Sequence, residues 1–196
     1  MKKVLIVILS VLMLLSFSSC QKDNSEEVIA ALEDYYKTNN ILGKTTSTVS
    51  YTAMGDGSVN QIISQSSVKE TDLENCLRKL GVITGSDTVS EVKSASGSIT
   101  GIESDANTSL TYTGITIKYT VGEDTTEREF TFSGTVKSTL TVSGEKTKSE
   151  AAISLTINNT AYSVSIAAED GKATSVTVNG KAVDPRLLNT KMSNLG

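Results

Sequence analysis

The clearest pattern along the chain is an alternation of hydrophobic and polar residues between residues 109 and 183. Ile115, Ile117 and Tyr119, for example, alternate with Thr and Lys. Because successive side chains of a strand point to opposite faces of its sheet, this spacing predicts strands with one buried and one wetted face. Short segments rich in Asn, Asp and Gly separate these strands and predict tight hairpins. We therefore expect a mainly β domain, an antiparallel meander that covers its apolar face as a barrel, a sandwich or a rolled sheet.

The alternation is interrupted within and before this region. Leu110 and Tyr112 are out of phase with Ile115, and Gly114 lies at the shift, so we predict a β-bulge there. In residues 87–105 the hydrophobic residues also recur at intervals of three, which breaks strict alternation. We predict strands in this stretch as well.

Upstream of the alternating region the pattern changes. Residues 45–53 and 58–66 predict two strands of a hairpin around a turn at 54–57. Residues 24–37 predict an amphipathic helix, since acidic residues stand at its start and a lysine at its end, as the helix dipole favours. Its apolar face consists of Val28, Leu32, Tyr35 and Tyr36. We expect this face to dock on the β domain, and the alternative is a helix that binds a partner.

A second, short helix is predicted at residues 71–80. Its apolar positions, at helical spacing, are Leu73, Cys76, Leu77 and Leu80. Thr71 and Glu74 fit a capping box, and Gly81 suits the position after the last turn. We interpret Cys76 as a buried and unreactive thiol, because no histidine is present to activate it. An intermolecular disulfide is the alternative.

The composition limits the chemistry that the chain can perform. Its 196 residues include no histidine and no tryptophan, whereas 27 are Ser and 26 are Thr. Histidine is the usual general base, and the glycine motifs of nucleotide-binding proteins and the nucleophile elbow of hydrolases are absent from the sequence. We therefore expect a protein that is not an enzyme and needs no cofactor. The hydroxyl groups on the wetted strand faces either recognise a partner or keep the sheet soluble.

Two groups of acidic residues are candidates for a cation site. One group has the alternation of a calcium-binding loop: Glu103, Asp105, Asn107 and Ser109. Counted from Glu103, however, the glycine and glutamate that such a loop needs are replaced by Thr108 and Gly114. The second group consists of Glu123, Asp124 and Glu127. We interpret the first group as a solvated loop and the second as a charged hairpin tip, and we predict no metal site.

The first twenty residues have the order of a secretory signal. Lys2 and Lys3 precede a hydrophobic run at 4–15, which as a helix is too short to cross a bilayer. Ser18 and Ser19 then directly precede Cys20, and this sequence resembles the lipobox of bacterial lipoproteins. The resemblance implies that a diacylglycerol is attached to the Cys20 sulfur and that the leader is removed before it. It covers residues 1–20 only.

These observations together predict a division of the chain and a role. We expect a cleaved signal peptide at 1–19, a lipid-anchored N-terminus with the amphipathic helix at 20–43, and the β domain at 44–196. The net charge of −4 becomes more negative when Lys2 and Lys3 are removed, which argues against nucleic acid as a partner. We expect a non-catalytic cell-envelope lipoprotein, held in the membrane by Cys20, that binds a protein partner or has a structural role. The same resemblance favours the outer membrane, because Gln21 stands at the position where some inner-membrane lipoproteins have a retention aspartate. The alternative is a barrel that binds a small apolar ligand.

Overall fold

A computed structural model describes residues 30, 31, 34, 38, 49, 53–170 and 172–186 of the chain. It contains a single sheet of eight antiparallel strands, in which each strand pairs with the next one along the chain. The strands are β1 (Ser58–Ile62), β2 (Val89–Glu103), β3 (Asn107–Val121), β4 (Asp124–Ser143), β5 (Lys146–Ile157), β6 (Thr160–Glu169), β7 (Lys172–Val178) and β8 (Lys181–Val183). A short 3-10 helix (Gln65–Ser67) and a helix α1 (Glu70–Lys79) lie between β1 and β2. The predicted antiparallel meander is confirmed, but the sheet is not closed, so the barrel form of the prediction is wrong.

The sheet has one apolar and one polar face, as the alternation predicted. We call the apolar side the inner face. Its buried residues include Ile99, Tyr112, Phe132, Leu155 and Val164. The opposite side, the outer face, carries mainly Thr and Ser. Hydrophobic burial is therefore concentrated on one side of every strand, and this burial supplies most of the stability of the sheet.

The two ends of the sheet differ in what covers them. The hairpin turns at 122–123, 158–159 and 179–180 share one end, which we call the α1 end because α1 packs against β2 there. The turns at 104–106 and 144–145 share the opposite end, which we call the far end. β4 and β5 extend past β3 at the far end, and Val142 on β4 is 63% exposed there.

The predicted bulge at Gly114 is confirmed. The register between β3 and β4 shifts between Tyr112 and Ile115, and Gly114 has a φ of +53°. The extra residue returns Ile115 to the inner face, where Leu110 and Tyr112 already lie. The change of phase in the sequence therefore marks a bulge within one strand and does not mark the end of a strand.

Residues 89–103 form one continuous strand, β2, in spite of their irregular spacing. Val89 and Val92 are both buried because register shifts against β3 occur beside them, at Val89/Glu91 and Val92/Ser94. Between Ile99 and Ile102 the pairing is regular, so residues three apart lie on opposite faces: Ile99 is buried and Ile102 is 46% exposed. The same spacing has two different causes within one strand.

Helix α1 is confirmed within one residue of its predicted bounds. It buries Leu73, Cys76 and Leu77. Its end is a Schellman motif, in which the Gly81 N–H donates to the Arg78 carbonyl at 3.0 Å and the Val82 N–H donates to the Leu77 carbonyl at 2.9 Å. Gly81 has the positive φ, +70°, that this motif requires. The glycine after the helix therefore has the predicted role.

The predicted capping box at the start of α1 is wrong. The N-cap residue is Lys69, and it makes no side-chain capping hydrogen bond. Glu74 instead accepts hydrogen bonds at 3.1 Å from the Arg78 guanidinium and, through its other oxygen, from the Val89 N–H. The second bond ties the helix to β2, and this tertiary contact outweighs the local cap.

The edge of β2 beyond β1 is covered by hydrogen bonds from the segment between them. The Ile63 N–H donates to the Gly97 carbonyl at 2.9 Å, and the Gln65 side-chain amide donates to the Val92 carbonyl. Such cover prevents an exposed strand edge from pairing with other chains. The predicted strand 58–66 accordingly ends at Ile62. Of its predicted partner strand, Val49 forms a bridge with Val68, and residues 45–48 and 50–52 lie outside the described residues.

Three hairpin turns share one hydrogen-bonding arrangement, which we call the Asx clasp. In each, the first turn residue has a φ of +45° to +48° and pairs with the strand before the hairpin. The Asn158 N–H donates to the Thr131 carbonyl at 2.9 Å, and its Oδ1 accepts from the Thr131 N–H at 2.9 Å. The same two bonds join Asp170 to Thr147 and Asn179 to Ser163. Each turn thereby continues the strand pairing with its own side chain.

Of the predicted N-terminal helix, the structure describes four positions, at or next to its predicted range. Ala30, Ala31, Asp34 and Thr38 are helical, Ala31 is buried, and Asp34 accepts a hydrogen bond from the Asn179 side-chain amide at 3.1 Å. The rest of 24–37 lies outside the described residues. Among the described residues, none of the helices has the length and hydrophobicity needed to cross a bilayer.

Candidate functional site

A row of polar side chains crosses the outer face of the sheet. It consists of residues directly opposite one another on β1 to β6: Asn60, Thr100, Thr111, Thr135, Ser154 and Ser163. We call it the hydroxyl row. Neighbouring strands are about 4.8 Å apart, so the row spans about 24 Å. The meander places these side chains in line because each strand is paired without a shift at this position.

The hydroxyl row contains no charged residue. Ion pairs lie to either side of it, between Lys118 and Glu127 at 2.8 Å and between Lys148 and Glu169 at 2.8 Å. Within the described part of the chain, none of the hydroxyl groups in the row takes part in a side-chain hydrogen bond. The row can therefore donate and accept hydrogen bonds toward a partner, and it has no group for acid–base chemistry.

A second polar feature lies on the inner face. Tyr112 is 2% and Thr108 is 3% exposed, and both are on β3, two positions on either side of Leu110. Among the described residues, neither the Tyr112 phenol nor the Thr108 hydroxyl has a hydrogen-bond partner. Glu103 is half-buried directly opposite Thr108. We call these three residues the inner polar cluster.

The electrostatics of the inner polar cluster favour a neutral phenol. Burial raises the pKa of Tyr112 well above its ordinary value, and the negative charge of Glu103 raises it further. The ring of Tyr112 packs against Phe132 with 5.6 Å between ring centroids, and it lies opposite Gly134, which has no side chain. The phenol is thus a hydrogen-bond donor at neutral pH.

The structure does not bring the first acidic group together. Glu103 is on the inner face and Ser109 is on the outer face, while Asp105 lies in the turn between their strands. At this turn the Ser104 side chain accepts a hydrogen bond from the Asn107 N–H at 3.0 Å and donates one to the Asn107 carbonyl. The Ser104 side chain thus stabilises this turn without a bound ion. In the part of the chain that the structure describes, no group of three or more acidic, Cys or His residues could hold a metal.

The second acidic group has structural contacts at the β3–β4 hairpin. Asp124 accepts a hydrogen bond from the Thr126 N–H at 2.9 Å, and Arg128 lies 3.4 Å from its carboxylate. The bonds to Thr126, with a smaller contribution from Arg128, lower the pKa of Asp124. Glu127 pairs with Lys118. These residues shape the hairpin tip and do not converge on a site.

The structure describes one of the two cysteines of the chain. Cys76 is buried in α1, as predicted. Cys20 lies outside the described residues, together with Ser18, Ser19 and Gln21, so the structure does not test the lipid attachment.

The inner polar cluster was missed in the sequence. The alternation places Tyr112 on the apolar face, and alternation assigns a face without indicating whether a phenol will find a hydrogen-bond partner. A signal was present at Thr108, which has the same phase as Leu110 and Tyr112 and is therefore a hydroxyl residue on the apolar face.

Comparisons with known proteins give no further indication. No protein-family model, no curated protein and no solved structure matches this chain.

Proposed function

We propose that this chain is a non-catalytic lipoprotein of the bacterial cell envelope, held in a membrane by lipid on Cys20, whose outer face binds a partner or has a structural role. The hydroxyl row is the observation that carries the binding part of this proposal. Six aligned and uncharged polar side chains offer hydrogen bonds at the spacing of the strands. A partner that matches this spacing gains several bonds without burying a charge.

The lipid anchor is tested by Cys20→Ala. We expect this variant to lose incorporation of labelled fatty acid, while the unchanged chain is labelled. Cys76→Ala is the matched control, since it removes the other cysteine and should leave labelling intact. Labelling of Cys20→Ala at the level of the unchanged chain would contradict the proposal.

The position of the domain is tested by protease treatment of intact cells. Digestion places the outer face outside the cell, whereas protection followed by digestion after the outer membrane is opened places it in the periplasm. A known periplasmic protein serves as the control. The outer membrane is the proposed location in both cases.

Partner binding is tested by capture from envelope extracts with substitutions inside and outside the hydroxyl row. Thr111→Lys with Ser154→Lys introduces two charges into the row, and Thr126→Lys with Thr141→Lys introduces two on β4 outside it. We expect proteins captured by the unchanged chain to be lost with the first pair and kept with the second. Equal capture by both pairs would rule out the row as the binding surface.

The alternative role, binding of a small apolar ligand, needs a different geometry from the one first expected. A ligand enclosed by a closed barrel requires paired first and last strands, and β1 and β8 are not paired. The alternative therefore stays a proposal only for a site on the inner face, where the buried hydroxyls of Tyr112 and Thr108 have no hydrogen-bond partner among the described residues.

A further inference from the structure

The turn between β7 and β8 contains the only Asn-Gly sequence of the chain, at Asn179 and Gly180. Both residues are exposed. Among the described residues the Gly180 N–H has no hydrogen-bond partner, and a Cβ at this glycine would have no atom within 4 Å. The backbone nitrogen of Gly180 is therefore unhindered, and it follows the Asn179 side-chain amide directly in the chain.

This sequence permits deamidation by water alone. The Gly180 nitrogen forms a bond to the Asn179 Cγ and gives up its proton, and the side-chain nitrogen takes up a proton and leaves as ammonia. Water then adds to the resulting cyclic imide and opens it. Opening at one carbonyl gives aspartate, and opening at the other gives isoaspartate, in which the main chain runs through the former side-chain carbon. The net reaction consumes one water and releases one ammonia.

A second Asx clasp indicates that the fold accepts the aspartate product. Asp170 makes with a carboxylate the two bonds to Thr147 that Asn179 makes with an amide to Ser163. An aspartate at position 179 therefore keeps the oxygen that accepts from the Ser163 N–H, which is 2.8 Å away in the asparagine form. Deamidation to aspartate thus leaves the hairpin itself intact.

Among the described residues, Asn179 is the one clasp residue whose side chain also bonds a distant helix. Its amide nitrogen donates to the Asp34 carboxylate at 3.1 Å. Asp34 lies among the helical positions Ala30, Ala31, Asp34 and Thr38, which we call the N-terminal helix, and in which Ala31 and Thr38 are buried. Deamidation replaces the donor nitrogen with a carboxylate oxygen, so two carboxylates then face each other. The contact changes from attractive to repulsive.

We propose that Asn179 is a site of spontaneous deamidation and that its conversion to aspartate loosens the N-terminal helix from the sheet. Because the ammonia is lost to the solvent, the loosened form accumulates with the age of the molecule. In a chain anchored at Cys20, loosening of this helix lengthens the tether between the membrane and the sheet. That last consequence rests on the proposed lipid anchor, whereas the modification and the loosening do not.

The modification is tested by incubating the full chain at mildly alkaline pH and mapping its peptides by mass spectrometry. We expect conversion at Asn179 to be at least about tenfold faster than at Asn158, because Asn158 lies in the same kind of clasp but precedes Asn159, whose Cβ hinders the attack. Equal rates at the two positions would overturn the assignment of the site.

The loosening is tested with Asn179→Asp, which has the aspartate product from the start. We expect the Ala31 amide to exchange its hydrogen about tenfold faster in this variant than in the unchanged chain, as the loss of a charged hydrogen bond and a new repulsion would give. The Ser163 amide should keep its protection, which shows that the hairpin is folded. Asn158→Asp is the matched control, since it adds the same charge at another clasp and should leave the exchange of Ala31 unchanged.

A reciprocal exchange of side chains isolates the contact with Asp34. Asp34→Asn combined with Asn179→Asp again pairs one amide with one carboxylate, and we expect it to return the exchange of the Ala31 amide to within about twofold of the unchanged chain. Restored protection in this double variant supports the proposal. Unchanged exchange of Ala31 in Asn179→Asp, or equally fast exchange in Asn158→Asp, would overturn the loosening.

Discussion

At the scale of single residues, two glycines inside strands determine how closely neighbouring backbones approach. Gly101 has a φ of +141° and Gly134 a φ of +134°, a region that side-chain-bearing residues rarely adopt. A Cβ on Gly101 would lie 1.9 Å from the Ser109 carbonyl oxygen, and one on Gly134 would lie 2.0 Å from the Ser154 carbonyl oxygen. Both contacts are with backbone and cannot be relieved by a change of rotamer.

We therefore expect Gly134→Ala to destabilise the fold by about 3 kcal/mol or more, since the strained φ and the clash with Ser154 both oppose the new methyl group. The measurement is urea unfolding followed by circular dichroism. Gly55→Ala is the matched control, because a Cβ there has no atom within 4 Å. A loss for Gly134→Ala no larger than that for Gly55→Ala would contradict the account.

The buried phenol of Tyr112 makes the free energy of unfolding depend on pH in the alkaline range. The pKa of Tyr112 in the folded chain is raised above the ordinary value of 10.0 by burial and by Glu103. The unfolded chain therefore releases this proton first, and the free energy of unfolding is unaffected well below pH 10.0 and falls as the pH rises above it. The Tyr112→Phe variant has no phenol and therefore lacks this pH dependence.

We expect Tyr112→Phe to equal or exceed the unchanged chain in stability at pH 7, by up to about 1 kcal/mol, because it removes an unpaired hydroxyl. Its advantage should grow as the pH is raised above about 10. Urea midpoints at a series of pH values measure both effects. A difference that shrinks with rising pH would show that the phenol is not kept neutral by the fold.

At the scale of elements, the Asx clasp joins each of three hairpins to the strand before it. The clasp needs an acceptor oxygen on a short side chain and a backbone with positive φ, and Asn and Asp supply both. Asp170 does this with a carboxylate where Asn158 and Asn179 use an amide. The Oδ1 acceptor is therefore the side-chain group that all three turns share.

This comparison predicts that Asn158→Asp keeps the stability of the β5–β6 hairpin within about 0.5 kcal/mol, whereas Asn158→Ala loses about 1–3 kcal/mol. Alanine leaves the Thr131 N–H without its acceptor and also strains the turn. Hydrogen exchange of the Thr131 amide reports the bond directly. Equal exchange in the two variants would mean that the side chain does not hold the strand.

Much of the element order could be predicted because the alternation of Thr with Ile, Val and Phe is a direct consequence of burying one face. The bulge at Gly114 was predicted for the same reason. The irregular part of β2 was harder, because a bulge and a change of face produce the same spacing of three. The capping box of α1 failed because Glu74 is used by β2, and a contact between distant residues leaves no local signal.

At the scale of the whole molecule, the ion pairs lie on the surface. The six salt bridges of the described residues all join side chains that are at least partly exposed. Such pairs contribute little, typically up to about 1 kcal/mol each and often nothing, and salt screens them. The fold depends on its inner face instead.

We accordingly expect the free energy of unfolding to change by less than about 1 kcal/mol between about 0.1 M and about 1 M NaCl. Urea titrations at the two salt concentrations measure this. Val136→Ala, which shortens a buried side chain on the inner face, provides the comparison and should cost about 1–3 kcal/mol at both. A salt effect as large as that of Val136→Ala would mean that surface charge contributes more than burial does.

The closure of the sheet and the candidate sites could not be predicted from the sequence. Whether β1 meets β8 depends on the curvature summed over eight strands, and alternation fixes faces without fixing curvature. The hydroxyl row can be identified only when the register between six strands is known, and a single sequence indicates only which residues of each strand share a face. The alternation gives the phase of Tyr112, but the lack of partners at Tyr112 and Thr108 is a property of everything packed around them.

The order of the strands also governs how the chain acquires its structure. Every strand from β3 onward pairs with the strand made just before it across a turn of two or three residues, so a chain that emerges from a ribosome or a pore with its N-terminus first does not wait for a distant segment at these steps. Most of the ladder closes across two-residue turns, which keeps the entropy lost at each step small. Assembly can proceed by addition of one strand at a time to a growing edge, and the edge that is exposed during growth is always the one that the next segment of the same chain will cover.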